Sequence, residues 1–168
     1  METPGIQHAE KGHLTGTALS ANRLEKGKTM TAERNPENRF EDGMAVRRSV
    51  LGDEHVDRAE AAKTAFDEPF QKLITEGAWG TVWAGDHFTR RERSIVTVAL
   101  LAALGHEEEV AMHIRAAENT GATPDDIREA LLHVAIYAGV PAANRAFKRV
   151  KQTYLELGKT FPDQSENA

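Results

Sequence analysis

The chain has 168 residues, 40% of them apolar and 28% charged, with a formal net charge of -5. That is an ordinary composition for one globular core, with no electrostatic reason to bind nucleic acid. The absence of cysteine excludes disulfides and thiol chemistry and suits a reducing compartment. No apolar run approaches the roughly 18 residues of a membrane span, and the N-terminus is too polar for a signal peptide, so the expected location is the cytoplasm, away from membranes.

Residues 1–42 hold four of the 13 glycines among scattered Lys, Glu, Asn and Thr. This stretch reads as a flexible extension, because it offers too little apolar area to offset its ordering entropy. A helical domain is expected over 43–158 and a second polar tail over 159–168. Within the domain the apolar period is helical throughout and no strand alternation appears, so the fold class is all-α, a bundle of about six to seven helices.

GMAVRRSVLG predicts a short first helix. DEHVDRAEAAKTAFDEPFQKLITEGAWGTVWAG predicts one or two more, with Phe66, Phe70, Leu73, Ile74 and Gly77 at helical spacing and Trp79 and Trp83 closing the segment. Thr89 followed by Glu92 is a capping-box pattern, after which RSIVTVALLAALG, nearly apolar all round, predicts a central buried helix ending at Gly105. HEEEVAMHIRAAENTG follows as an amphipathic helix with Val110, Ile114 and Ala117 inward, ending on Gly121. Thr123, Pro124 and the acids Asp125 and Asp126 open the next helix. Gly139-Val140-Pro141 ends it and starts the last.

The stretch His106 to His113, HEEEVAMH, resembles a scrambled zinc-protease signature. Seven residues of helix return the two imidazoles to nearly the same face but about 10 Å apart along the axis, too far to share one ion. Pairs Glu109/His113 and Glu129/His133 are each four apart, which leaves a four-ligand site between two helices geometrically open. Such pairs arise for plain electrostatic reasons, and no metal is expected. Glu107 and Glu108 read as first-turn acids complementing the helix dipole. His113 sits on the border of the apolar face, as does His133 between Leu132 and Val134. No nucleophile elbow, Walker loop or dinucleotide fingerprint is present.

The blocks AWGTVW, AMHIRAAENTG and HVAIYAGVPAAN, within about Arg47 to Lys151, resemble the carboxymuconolactone decarboxylase family. The same superfamily holds alkylhydroperoxidase D-like enzymes, which use a cysteine pair followed by a histidine. With that histidine placed on His113, His106 and Glu109 stand where the cysteines would be, and Ser94 where a relay glutamate would be. Neither the thiol chemistry nor that relay carries over. The resemblance implies an alkylhydroperoxidase D-like helical bundle assembled into a ring-like homo-oligomer, a hexamer, that needs no cofactor.

The implied reaction is decarboxylation of 4-carboxymuconolactone to the β-ketoadipate enol-lactone in protocatechuate catabolism. The alternative is a non-redox member of the superfamily that binds or acts on another small carboxylated molecule. Loss of CO2 would send its electron pair through the ring double bond into the lactone carbonyl, so the substrate is its own electron sink. The protein must then supply cations for two carboxylates, a donor for the enolate oxygen and an acid for ring carbon. Among Arg90, Arg91 and Arg93, Arg91 is the first choice of carboxylate anchor and Arg93 the second. His113 is the expected acid. His133 would serve the enolate oxygen or share the acid role, oriented by Glu129 or Tyr137, while Glu76 and Trp79 would line the pocket.

Overall fold

The computed structural model describes residues 38–159. Apart from 38–42 and Lys159, the extension and tail expected from the sequence lie outside that range. Every regular element among the described residues is helical: α1 (Arg39–Leu51), α2 (Asp53–Ala62), α3 (Glu68–Ile74), a π-helix (Thr75–Trp83), α4 (Arg90–Leu104), α5 (Glu107–Arg115), α6 (Ala117–Thr120), α7 (Pro124–Tyr137) and α8 (Val140–Glu156). Residues 39–42, assigned above to the extension, are the first turn of α1.

The chain is more finely divided than its periodicity predicts. Lys63 is extended, and the Asp67 carboxylate accepts from the Thr64 amide at 2.8 Å and from its hydroxyl at 2.6 Å. That local turn competes with helix and separates α2 from α3. The capping box expected at Thr89 forms, and a second one forms at Thr123. The Thr89 and Glu92 side chains each bond the other's backbone amide at the start of α4, as do those of Thr123 and Asp126 at the start of α7. Gly105 and Gly121 take left-handed φ values of 79° and close α4 and α6, as C-terminal glycines do.

The main core is the meeting of α4, α5, α7 and α8. Val98 and Ala102 pack with Val110 and Ile114, with Ile127, Leu131 and Val134, and with the alanine-rich face of α8. Ala142, Ala143 and Ala146 let that helix approach closely, while Val150 and Tyr154 fill the wider end. A smaller cluster of Val50, Trp79, Trp83 and Ala116 lies where α1 and the π-helix meet α5 and α6.

One expectation fails within the single chain. Helix α4 buries only Ser94, Val98 and Ala102, and presents Val96, Leu100 and Leu104 to solvent. It is apolar all round, yet only one side has a partner in this chain. Phe66, Phe70 and Leu73, at helical spacing on and before α3, are exposed as well.

Candidate active site

The site is organised by the π-helix, which packs on α1 through two glycines. Gly43 of α1 and Gly80 of the π-helix face each other, and a Cβ on either would run into backbone, the Thr75 carbonyl in one case and the Arg39 carbonyl in the other. Backbone therefore packs on backbone here. The wide turn is visible in the bond from the Ala84 amide to the Trp79 carbonyl, five residues back, at 2.9 Å; such turns concentrate at functional sites. Trp79 and Trp83 project from it as a tilted pair with centroids 5.3 Å apart.

Trp83 stacks in turn on His113, centroids 5.8 Å apart and planes within 10°. His113 is 6% exposed, and its Nδ1 is buried without a hydrogen-bond partner among the described residues. Burial drives its pKa down to about 4, opposed by the Glu109 carboxylate and assisted by His55. At neutral pH the imidazole is uncharged, because an imidazolium held in this apolar setting has lost its hydration.

The three arginines of α4 have different employments. Arg90 reaches the Ser49 hydroxyl on α1. Arg91 forms a fork with Asp126, its Nε 2.7 Å from Oδ2 and a second nitrogen on Oδ1, and thereby ties α4 to the first turn of α7. The Arg91 fork, with help from the Thr123 amide, lowers the Asp126 pKa to about 2. Arg93 has no ion pair or hydrogen bond among the described residues, and its Nε is buried without a partner. Its guanidinium lies 5.8 Å from the Phe88 ring centroid and against Gly85, where a Cβ would sit 2.5 Å from a guanidinium nitrogen. Gly85 is two residues beyond Trp83, so Arg93 and His113 both abut the same end of the π-helix.

The other expected residues lie elsewhere. His133 is exposed on α7 and stacks with Tyr137 at 6.1 Å, itself 84% exposed. With Glu129 and Asp126, His133 lines an open groove of about 300 Å³ floored by Ile95, Val96, Ala99 and Ala130. Helices α5 and α7 each pack on α4 and α8. Among the described residues no ring contact or cavity wall joins His113 or Trp79 to His133, Glu129 or Tyr137. Glu76 borders a second cavity, about 590 Å³, walled by Phe40, Lys63 and Lys72 among others. None of these spaces counts His113 in its wall. Among the described residues no group of three or more His, Asp or Glu is placed to hold a metal ion, so the four-ligand arrangement of Glu109, His113, Glu129 and His133 is not assembled.

HEEEVAMH resolves residue by residue. Glu107 and Glu108 do more than complement a dipole: they pair with Arg145 at 3.4 Å and Arg149 at 2.8 Å and strap α5 to α8. His106 is exposed at the N-cap position without a side-chain cap bond, and Ser94 is fully buried with its hydroxyl unpartnered. Trp83, which with Trp79 reads from the sequence as core more than as a substrate platform, stands four residues after it, the signal that both rings share one side. No helix among the described residues is long and apolar enough to cross a membrane.

Comparison with known proteins follows the same segment. The model of the carboxymuconolactone decarboxylase family matches residues 68–152. A 4-carboxymuconolactone decarboxylase of Acinetobacter baylyi is 43% identical over 124 residues, which is 74% of this chain and 92% of that protein. A nitrosuccinic acid decarboxylase, npaB, of Metarhizium robertsii is 42% identical over 118 residues, 70% of this chain and 82% of that protein. A 4-carboxymuconolactone decarboxylase of Pseudomonas putida is 50% identical over 42 residues, 25% of this chain and 88% of that sequence.

Proposed function

The chain belongs to the carboxymuconolactone decarboxylase family, and on that footing we propose that it is a cofactor-independent carboxy-lyase converting 4-carboxymuconolactone to the β-ketoadipate enol-lactone. The observation that carries this reading is the 43% identity to a 4-carboxymuconolactone decarboxylase across 92% of that protein's length. The cytoplasm and protocatechuate catabolism are the setting that goes with it.

The chemistry is undemanding of cofactors. The bond from ring carbon to carboxylate breaks, CO2 leaves, and the electron pair moves through the ring double bond onto the lactone carbonyl oxygen. The resulting enolate takes one proton on the carbon next to that carbonyl. The protein's work is to bind two carboxylates and deliver that proton in a water-poor site.

Arg93 is assigned the carboxylate, in place of the first-choice Arg91. What supports the exchange is that Arg91 already forms a fork with Asp126, whereas the Arg93 guanidinium is free of carboxylate partners among the described residues. His113 is assigned the proton. It is neutral before substrate arrives, and a dianion seated beside it would raise its pKa, so binding loads the acid that catalysis then discharges. Trp79 and Trp83 wall the site and keep water out. His133, with Glu129 and Tyr137, contributes only where subunits meet, and Glu76 lines an approach to the π-helix. The working form is a homo-oligomer, a hexameric ring; the apolar residues left exposed on α3, α4 and α7 support an oligomer.

A second reading is favoured by the 42% identity to a nitrosuccinic acid decarboxylase. A nitro group is also an electron sink beside the breaking bond, so the same arginine and histidine would serve it. Purified protein given freshly generated 4-carboxymuconolactone and, separately, nitrosuccinate separates the two by CO2 release. Turnover of the lactone is expected; turnover of nitrosuccinate alone would replace the first reading with the second, and turnover of neither would remove both.

A further inference from the structure

Each turnover of the proposed reaction turns a carboxylate into neutral CO2 and leaves one proton on carbon. One proton per cycle therefore has to travel from water to His113, an imidazole that is 6% exposed and whose Nδ1 has no partner among the described residues. A further cavity, of about 410 Å³, lies close to it, between the first turns of α2 and helix α5. Its walls include Leu51, His55 and Arg58 from one side and Met112 and Arg115 from the other, and the last two flank His113 in the chain. His55 is half-buried there. The charged groups around it are Asp53, Glu54 and Arg58 on its own helix, Arg47 on α1, and His113 and Arg115 on α5. Asp53 is held by Arg48 at 3.1 Å, Glu54 by Arg58, Arg47 by Glu60 at 3.4 Å and Arg115 by Glu156 at 2.7 Å.

We propose that His55 is the port through which protons reach His113, taking each one from water in the α2–α5 cavity and passing it on, directly or through a bridging water, to the buried ring. An N–H bond on His55 breaks as one on His113 forms, and His55 draws its next proton from water or buffer. His55 acts through His113 and does not touch the lactone, so it is a positioning residue. Its surroundings suit the task. Burial, and then the cations of Arg58, Arg47 and Arg115, lower its pKa, so it gives up a proton readily and does not rest as a cation. Burial is the main cause of the low pKa of His113, Glu109 opposes it, and a charge on His55 adds to it, so the two imidazoles carry one proton between them. The rise in the His113 pKa that a bound dianion brings then draws that proton inward. Exposed Glu109, one turn before His113, is the other group within electrostatic reach. Imidazoles as a class exchange protons near neutral pH and carboxylates do not, which selects His55 as the carrier and leaves Glu109 to favour the protonated His113.

This inference rests on the decarboxylase reading given above, and the following experiment distinguishes the failure of each. Full-length wild type, His55→Gln and His55→Ala are compared for CO2 release from 4-carboxymuconolactone in dilute buffer, and again with imidazole added. Circular dichroism and melting temperature check that each variant is folded. In dilute buffer kcat should fall on the order of tenfold or more in both variants, with KM unchanged. Added imidazole should restore kcat in the variants, most fully in His55→Ala, where the place of the ring is open, and should not speed the wild type. Wild-type kcat in both variants would overturn the port and leave the decarboxylase reading standing. A loss of kcat that imidazole does not relieve would show a structural role and overturn it too. Loss and rescue in Glu109→Gln, with the His55 variants unaffected, would move the route to Glu109. A wild type that releases no CO2 from the lactone would remove the decarboxylase reading and the port together.

Discussion

His113 and Arg93 bear the chemical weight of the proposed site, and each makes a prediction of its own. Replacing His113 with Ala should lower kcat by on the order of 100-fold or more, since general acid catalysis commonly contributes that much. Its depressed pKa also has a stability consequence. The unfolded imidazole takes up a proton near pH 6.5 and the folded one only near pH 4, so between these values the unfolded state binds more protons and stability rises with pH. On acidification through that window the protein should lose up to on the order of 3 kcal/mol from this one group. Denaturant titrations at pH 7 and pH 4.5 measure it, and a His113→Gln variant should lack most of the difference; an equally steep loss in that variant would place the effect on other groups. Arg93→Ala should raise KM and lower kcat/KM by tenfold or more, as loss of a charge-assisted carboxylate contact does. Arg91→Ala should leave turnover within a few-fold of wild type while lowering the melting temperature, because it unties α4 from Asp126 on α7. The reverse pattern for the two arginines would restore Arg91 as anchor.

Between elements, the contact that sets the site is the glycine-on-glycine crossing of α1 and the π-helix. Gly43→Ala or Gly80→Ala must push the two backbones apart, at a cost of about 1–3 kcal/mol by the usual scale of overpacking. Chemical denaturation measures that cost, and the near-ultraviolet circular dichroism of the Trp79 and Trp83 pair should change with it. Unchanged stability in both variants would contradict the close approach. This crossing was the least legible feature of the sequence. The period of TEGAWGTVW reads as ordinary helix, and the close packing of that segment on α1 needs Gly43, more than 30 residues earlier. The capping box at Thr89 was readable because its partner lies three residues away, and the start of α7 at Thr123 because its cap, proline and acids are consecutive. The inward set Val110, Ile114 and Ala117 was readable because periodicity alone places it. The partner of Arg91 was not, since Asp126 is 35 residues on and only the fold brings them together.

For the molecule as a whole, the all-α bundle and its family follow from patterns spread along the segment from about Arg47 to Lys151, while the disposition of the candidate site does not. Periodicity marks α4 as apolar all round, and that is true of its residues; Val96, Leu100 and Leu104 are nevertheless exposed, because nothing in this chain covers them. The sequence grouped His133, Tyr137 and Glu129 with His113, whereas within the described chain no ring contact or cavity joins the two sets. The central claim is that the end of the π-helix, with His113 as acid, decarboxylates the lactone. The direct measurement is the initial rate of CO2 release from 4-carboxymuconolactone by wild-type protein and by an equally assembled His113→Ala variant. The account predicts rapid release by the first and a rate lower by on the order of 100-fold or more by the second; equal rates would contradict it.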